Sequence, residues 1–394
     1  MSFNSTPSAE RVHIGFFGLR NAGKSSVVNA VTAQELSLVS DVKGTTTDPV
    51  RKAMELLPIG PVVIIDTPGT DDEGALGEQR VKRAMKTLDE TDIAVLVIDA
   101  EKGETQADEE LKKLITERKI PLITVYNKAD LLSAVPTAGE NTLYVSAASG
   151  TNIFELKEML GRIAADGKKE KRLIGDLLQK DDIVVLVTPI DESAPKGRMI
   201  LPQQQTIRDV LDSDAVCLVT KETQLETLLS SLPKKPRLVV TDSQAFGFVN
   251  KVVPKDIPLT SFSMLFARYK GDLFALADGA DTLDKLRDGD RVLISEGCTH
   301  HGQCNDIGTV KLPNWVSKYT GKNLVFDFTS GRDFPEDVSE YSLVIHCGGC
   351  MLNDAEISSR AKRAKAQGVP MTNYGTAIAK MHGILERAIK PLKP

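Results

Sequence analysis

The sequence predicts an α/β protein with mainly parallel sheets, organised as three units. Three observations carry that prediction. Short apolar runs alternate with segments of helical periodicity, the pattern of a sheet covered on both faces. A Gly-rich turn, "GLRNAGKS" at 18–25, joins the first apolar run to the first helical segment. The alternation then resumes after the charged stretch "GKKEKR" at 167–172, and again near Ser263. The expected units are 1–170, 171–262 and 263–394, because 394 residues are too many for one ordinary core.

In the first unit "RVHIGFFGL" is a strand and "KSSVVNAVT" the helix after the turn. "PVVIID", "DIAVLVIDA", "PLITVYNK" and "TLYVS" are further strands, and "EQRVKRAMKTLDE", "ADEELKKLITERK" and "NIFELKEMLGRI" are helices. In the second, "DIVVLVT", "AVCLVT", "PRLVVT" and "PLTSFS" are strands, with helices in "QTIRDVLD", "TQLETLLSSL" and "SQAFGFVNKV". The 16-residue stretch "TPIDESAPKGRMILPQ" reads as a loop, long enough to serve as a binding or subunit contact. In the third, "MLFARYKGDLFALADG", "DAEISSRAKRAKAQG" and "TAIAKMHGILERAI" are helices; "RVLISEG", "NLVFDF" and "SLVIH" are strands.

Composition narrows the function classes. Hydrophobic residues make up 41% and charged residues 26%, an ordinary globular balance. The net charge of −5 and pI near 5.7 argue against a surface that neutralises many phosphates, so nucleic acid is an unfavoured partner. There is no run of about 18 apolar residues, so no membrane span is expected. The start, "MSFNSTPSAE", lacks the basic and apolar regions of a signal peptide, and a cytoplasmic location is expected. Four of five cysteines cluster, which favours metal or redox chemistry over a disulfide framework.

The turn at 18–25 fits G-x-x-x-x-G-K-S between a strand and a helix. Gly18 and Gly23 let backbone N–H groups approach phosphate oxygens; Asn21, Ala22 and Ser26 complete the cradle. Lys24 should reach the β- and γ-phosphates, Ser25 should ligate Mg²⁺, and the helix N-terminus adds its positive end. Thr45–Thr47 in "KGTTTD" suit a switch loop that closes on Mg²⁺. In "DTPG", Asp66 suits the Mg²⁺ shell and the Gly69 N–H the γ-phosphate. In "NKAD", Asn127, Lys128 and Asp130 follow a strand, and the Asp carboxylate can accept from the guanine N1–H and exocyclic amine. Ser146 and Ala147 in "SAASG" can offer N–H groups to the guanine O6. These elements arrive in order, each at the carboxyl end of a strand, and point to GTP and GDP.

The second constellation is Cys298, His300, His301, Cys304, His346, Cys347 and Cys350. Cys347 and Cys350 form C-x-x-C on a Gly-Gly turn after one strand, and Cys298 and His300 follow another. Two strand ends can converge at one sheet edge, so the sequence gap is no obstacle. By residue type alone, a tetrahedral zinc site and a 4Fe-4S cluster with one exchangeable iron both fit.

Residues 10–165 resemble the Era/TrmE-like branch of translation-factor-class GTPases. That resemblance implies that Thr46 is the switch Mg²⁺ ligand and that Asn21 supports a potassium ion; a plain loop amide is the alternative for Asn21. Thr70 stands where small Ras-like GTPases carry a water-orienting glutamine, which implies slow intrinsic hydrolysis. Cys298-Thr299-His300 and His346-Cys347-Gly348-Gly349-Cys350, with 45 residues between the histidines, follow a second α/β domain. That combination resembles the HydF family, the maturation GTPases of iron-only hydrogenases. The "TPIDESAPKGRMILPQ" stretch is similar to the family's middle domain.

The resemblance implies a scaffold that binds a 4Fe-4S cluster and carries a two-iron subcluster precursor to apo FeFe-hydrogenase. It implies two radical-SAM maturases as partners and a homodimer formed by the middle domain. Cys298, Cys347 and Cys350 would hold the cluster, with His300 and His346 as ligands or near neighbours. Cys304 lies outside the motif and could be a fourth ligand, a spare thiol or a loop residue. The competing readings are an RNA-modification or ribosome-assembly GTPase with a structural zinc domain, and a redox enzyme. Cys217, His13, His382, His301 and Arg20 read as packing or solvated side chains.

Overall fold

β1 (Val12–Phe17) lies inside its sheet, and five of its six residues are buried. The computed structural model describes residues 6–33, 49–67, 84–167, 171–189, 199–297 and 307–393. The chain divides into two compact units, Met1–Lys169 and Glu170–Pro394.

In the first unit β1 joins β2 (Val50–Leu56), β3 (Gly60–Asp66), β4 (Ile93–Asp99), β5 (Leu122–Asn127) and β6 (Thr142–Tyr144). The sheet order is β2-β3-β1-β4-β5-β6, and only the β2–β3 pair is antiparallel. Alternation along β4 shows why these strands read as unbroken apolar runs. Ile93, Val95 and Val97 face the helices Lys24–Thr32 and Ile153–Gly167, while Ala94, Leu96 and Ile98 pack with Leu111 and Ile115 of the helix Gln106–Glu117. β2 escapes the pattern because it is an edge strand exposed along most of its length. Its Arg51, Lys52 and Glu55 are charges that suit an unpaired edge, and Gly60 at φ 93 closes the hairpin onto β3.

The second unit holds two four-stranded parallel sheets. β7 (Ile183–Val187), β8 (Val216–Thr220), β9 (Leu238–Thr241) and β10 (Leu259–Ser261) lie in the order β10-β9-β7-β8. β11 (Arg291–Ser295), β12 (Val325–Thr329), β13 (Leu343–His346) and β14 (Met371–Asn373) lie in the order β12-β11-β13-β14. One hydrophobic cluster runs through both sheets, from Val184–Val187 to Val292, Ile294, Leu343 and Ile345. Leu293 and Val344 face the other way, onto Phe334, Val338 and Ala364. Arg387 ties the helix Leu385–Ile389 to the helix Phe246–Val252 and the loop that leads into β10. Its guanidinium donates to Asn250 Oδ1 and to the carbonyls of Val253, Pro254 and Ile257.

Two helices expected to be continuous are broken. "MLFARYKGDLFALADG" forms Phe262–Lys270 and Leu273–Ala280, because Asp272 caps the second by accepting from the N–H groups of Phe274 and Ala275. "TAIAKMHGILERAI" forms Tyr374–Met381 and Leu385–Ile389, separated at Gly383, φ 67. Part of the long loop after β7, 190–198, lies outside the described residues, and its last residues already belong to the helix Leu201–Leu211. No helix among the described residues is long and apolar enough to cross a membrane.

Gly279 marks a close approach of helix to sheet, since a Cβ there would lie 2.0 Å from the Met371 carbonyl oxygen of β14. Helix propensity alone favours Gly279→Ala by ~1 kcal/mol. The backbone clash should override it, and urea denaturation should show the variant less stable by roughly 1–3 kcal/mol. A more stable variant would contradict this packing.

Candidate functional site

Between β1 and the helix Lys24–Thr32 the chain turns through Gly18 at φ 136, Asn21 at φ 62 and Gly23 at φ 84. A Cβ on Gly18 would lie 2.1 Å from the Val97 carbonyl oxygen, and one on Gly23 2.2 Å from Asn127 Nδ2. Both positions therefore need glycine for space as well as for conformation. The buried Lys24 bends back over the loop, its Nζ donating to the carbonyls of Gly18 at 2.9 Å and Leu19 at 2.8 Å. Gly23 caps the helix without a side-chain acceptor, so the first-turn N–H groups suit an anion. Ala22 is buried in this loop, and Ser26 is exposed on the first helical turn. Ser25 Oγ donates to Asp66 Oδ2 at 2.8 Å, which brings two hard oxygen donors together where Mg²⁺ was expected. The glycine cradle and this oxygen pair fit a nucleotide–Mg²⁺ complex. Thr46, Gly69 and Thr70 lie outside the described residues.

Asn127 joins the remaining motifs. Its Nδ2 donates to the Ala22 carbonyl at 3.0 Å, and its Oδ1 accepts from the Ala147 N–H at 3.1 Å. The phosphate loop and the "SAASG" loop are thus held by one buried amide. Ser146 is fully buried, and its hydroxyl accepts from the Ser149 N–H. Asp130 is exposed beside this loop on the turn Ala129–Leu131. Asp99, at the end of β4, was not picked out by the motifs. It accepts from Lys128 Nζ at 2.6 Å and so fixes the "NKAD" loop. Burial raises its carboxyl pKa, but the hydrogen bonds from Lys128 and the Glu101 N–H, with the Lys128 and Lys102 charges, together outweigh that and hold it below the usual range.

In the second unit β11 and β13 are parallel neighbours, with Ser295 opposite His346. Their chains therefore leave from one edge. Cys347 Sγ accepts from the Gly297 N–H at 3.0 Å and the Gly349 N–H at 3.3 Å. N–H donors aimed at sulfur stabilise a thiolate, so the donor chemistry fits a soft metal centre. Burial pushes the Cys350 thiol up, opposed by the Lys270 charge and by backbone N–H groups. Cys298, His300, His301 and Cys304 lie outside the described residues. Among the described residues no group of three or more potential metal ligands is assembled.

His346 points into the protein and is only 2% exposed. Its Nδ1 lies 2.7 Å from the Cys347 carbonyl, and its Nε2 lies 3.0 Å from Arg360 Nη1. Arg360 can only donate, so Nε2 accepts and Nδ1 carries the proton. Burial, then the Arg360 charge, push the imidazole pKa down to about 3, which keeps it neutral. Arg360 is itself held by Glu356 at 2.5 Å and the Gly331 carbonyl at 2.7 Å. The remaining cysteine and histidines behave as packing groups. Cys217 is half-buried in β8, His13 is buried against the Glu90 and Ser8 carbonyls, and His382 is exposed.

Comparison with known proteins assigns both units. Residues 173–271 match the hydrogen maturase F dimerization domain, and residues 273–391 match the hydrogen maturase F tetramerization domain. The chain belongs to the hydrogen maturase F (HydF) family. Residues 13–128 match the 50S ribosome-binding GTPase model, so the family's second-unit domains here follow a P-loop GTPase domain. The tRNA modification GTPase MnmE of Nitrosomonas europaea is 34% identical over 160 residues, 39% of this chain and 35% of that protein. GTPase Der of Kosmotoga olearia is 31% identical over 179 residues, 41% of this chain and 40% of that protein. The chain thus spans 35–40% of the length of these two relatives. The solved Era structure from Aquifex aeolicus is 19% identical, covering 53% of this chain and 93% of its own, at a TM-score of 0.35.

Asn127→Ala would leave the Ala22 carbonyl and the Ala147 N–H without this partner. Chemical denaturation of the nucleotide-free protein should show the first unit weakened by about 1–3 kcal/mol. Unchanged stability would mean that the amide serves the nucleotide alone.

Proposed function

We propose that this chain is a GTP-hydrolysing scaffold that binds a 4Fe-4S cluster and assembles and delivers the two-iron subcluster precursor to apo FeFe-hydrogenase. The observation that carries the reading is the union, in one chain, of a guanine-nucleotide loop set with two HydF domains whose β11–β13 edge presents Cys347. The division of labour is a GTPase domain at 1–170, a dimerisation domain at 171–262 and a cluster-binding domain at 263–394.

In the nucleotide site, Gly18, Asn21, Ala22, Gly23, Ser25 and Ser26 bind the phosphates of GTP or GDP. Lys24 exchanges its two loop carbonyls for β- and γ-phosphate oxygens. Ser25, Thr46 and Asp66 hold Mg²⁺, which supplies positive charge to those oxygens. Gly69 turns its N–H to the γ-phosphate, and Asn21 holds K⁺ beside the loop. Asn127, Lys128, Asp130, Ser146 and Ala147 orient the guanine.

In the cluster site, Cys298, Cys347 and Cys350 are the thiolate ligands, with His300 and His346 around them. A cluster held there would supply iron and sulfide able to meet the two-iron cargo. His346, with both ring nitrogens engaged, orients the loop from behind. Hydrolysis in the first unit biases exposure of the cargo in the second.

The partners are the apo-hydrogenase, two radical-SAM maturases and a second copy of the chain, all in the cytoplasm. A free edge supports self-association: β8 ends its sheet, with Val216 and Val219 each 46% exposed, within the dimerization match.

The test combines Lys24→Ala with a maturation assay on apo-hydrogenase. Hydrolysis should fall at least about 100-fold, in line with loss of a phosphate-clamping charge, and maturation should fall with it. Wild-type hydrolysis should be faster in potassium than in sodium. A Lys24→Ala protein that matures hydrogenase as well as wild type would sink the coupling.

A further inference from the structure

We propose that Lys270 is a positioning residue for the Cys347–Cys350 loop and the fixed positive charge beside its thiolates. The proposal rests on the reading that these cysteines hold a 4Fe-4S cluster. Lys270 ends the helix Phe262–Lys270, and only 6% of it is exposed. Burying an ammonium costs several kcal/mol of lost hydration unless its donors are satisfied. Here the cysteine loop satisfies them: Nζ donates to the Gly349 carbonyl at 3.0 Å and to the Leu352 carbonyl at 2.6 Å. The ring of Phe266, one turn earlier, lies with its centroid 5.8 Å from the same nitrogen.

The two contacts do more than anchor the loop. The Gly349 carbonyl shares its peptide with the Cys350 N–H, and in a trans peptide the two point in opposite directions. Drawing the oxygen to Lys270 turns that N–H to the other side of the chain, away from the ammonium. Gly349 is therefore gripped twice. Its N–H goes to Cys347 Sγ and its carbonyl to Lys270, at the φ of 63 that a glycine adopts without strain. A cube ligated by three thiolates carries net negative charge, and more once reduced. A fixed cation beside it stabilises the reduced form and slows release of the metal.

The experiment uses the full-length protein, purified and reconstituted anaerobically as wild type, Lys270→Met and Lys270→Gln. Circular dichroism checks folding, iron and sulfide are assayed, loss to a chelator is timed, and the midpoint potential is read by EPR-monitored redox titration. Lys270→Met, without charge or donors, should lose its cluster roughly tenfold faster than wild type and show a more negative midpoint. Lys270→Gln keeps an N–H donor group and loses the charge. It should share the negative shift while holding its cluster closer to the wild-type rate. Should Lys270→Met give no folded protein, the Lys270→Gln midpoint decides the question. Wild-type midpoints in the folded variants overturn the proposal and leave the cluster reading standing. A wild-type protein that takes up no iron overturns the cluster reading itself, and the proposal with it.

Discussion

The pairing of β11 with β13 is the constraint on which the second unit's chemistry depends. Parallel neighbours release their chains at the same edge, and the register sets Ser295 opposite His346. A one-residue slip would turn His346 away from Arg360 and carry Cys347 off the Gly297 N–H. The register is held from both faces. Val292, Ile294, Leu343 and Ile345 pack into the large core, while Leu293 and Val344 pack beneath the helix Asp354–Ala366. The neutral, buried His346 then occupies the first position below the edge, backed by Arg360 and Glu356.

The two units share one structural device. Each places a glycine-containing loop at the carboxyl end of a parallel strand. Each lets a buried lysine donate to two carbonyls of that loop: Lys24 to Gly18 and Leu19, Lys270 to Gly349 and Leu352. A lysine is suited to this because its compact ammonium can serve two acceptors without the planar demand of arginine. In the proposed mechanism the two lysines part ways once ligand binds. Lys24 gives up its carbonyls to phosphate oxygens, whereas Lys270 keeps them and acts through the loop.

Much of the fold was legible because parallel strands buried on both faces read as unbroken apolar runs. β1, β4, β5, β7 and β13 are of this kind. β2 was not legible, since an exposed edge strand carries charge where a core strand carries valine. β14 has three residues, too few to show a period. The helix Leu312–Thr320 was not picked out; its Pro313 disfavours a helix interior yet fits the first helical turn. The breaks at Gly271 and Gly383 hid inside apolar periodicity that continues across them. The nucleotide loops were legible because phosphate and guanine demand fixed residue types at fixed spacing. Asp99, Arg360 and Lys270 were not, because each acts on a motif rather than within one. Lys270 lies 79 residues from the glycine it holds.

The proposed function stands on an iron–sulfur cluster at the β11–β13 edge. The most direct measurement is iron, sulfide and zinc analysis of the anaerobically purified wild type and Cys347→Ala, with an EPR spectrum after dithionite reduction. About four iron and four sulfide per chain, with a reduced-cluster signal abolished in Cys347→Ala, is the predicted result. One zinc per chain and no iron, even after reconstitution, would contradict it and leave a GTPase with a structural zinc domain.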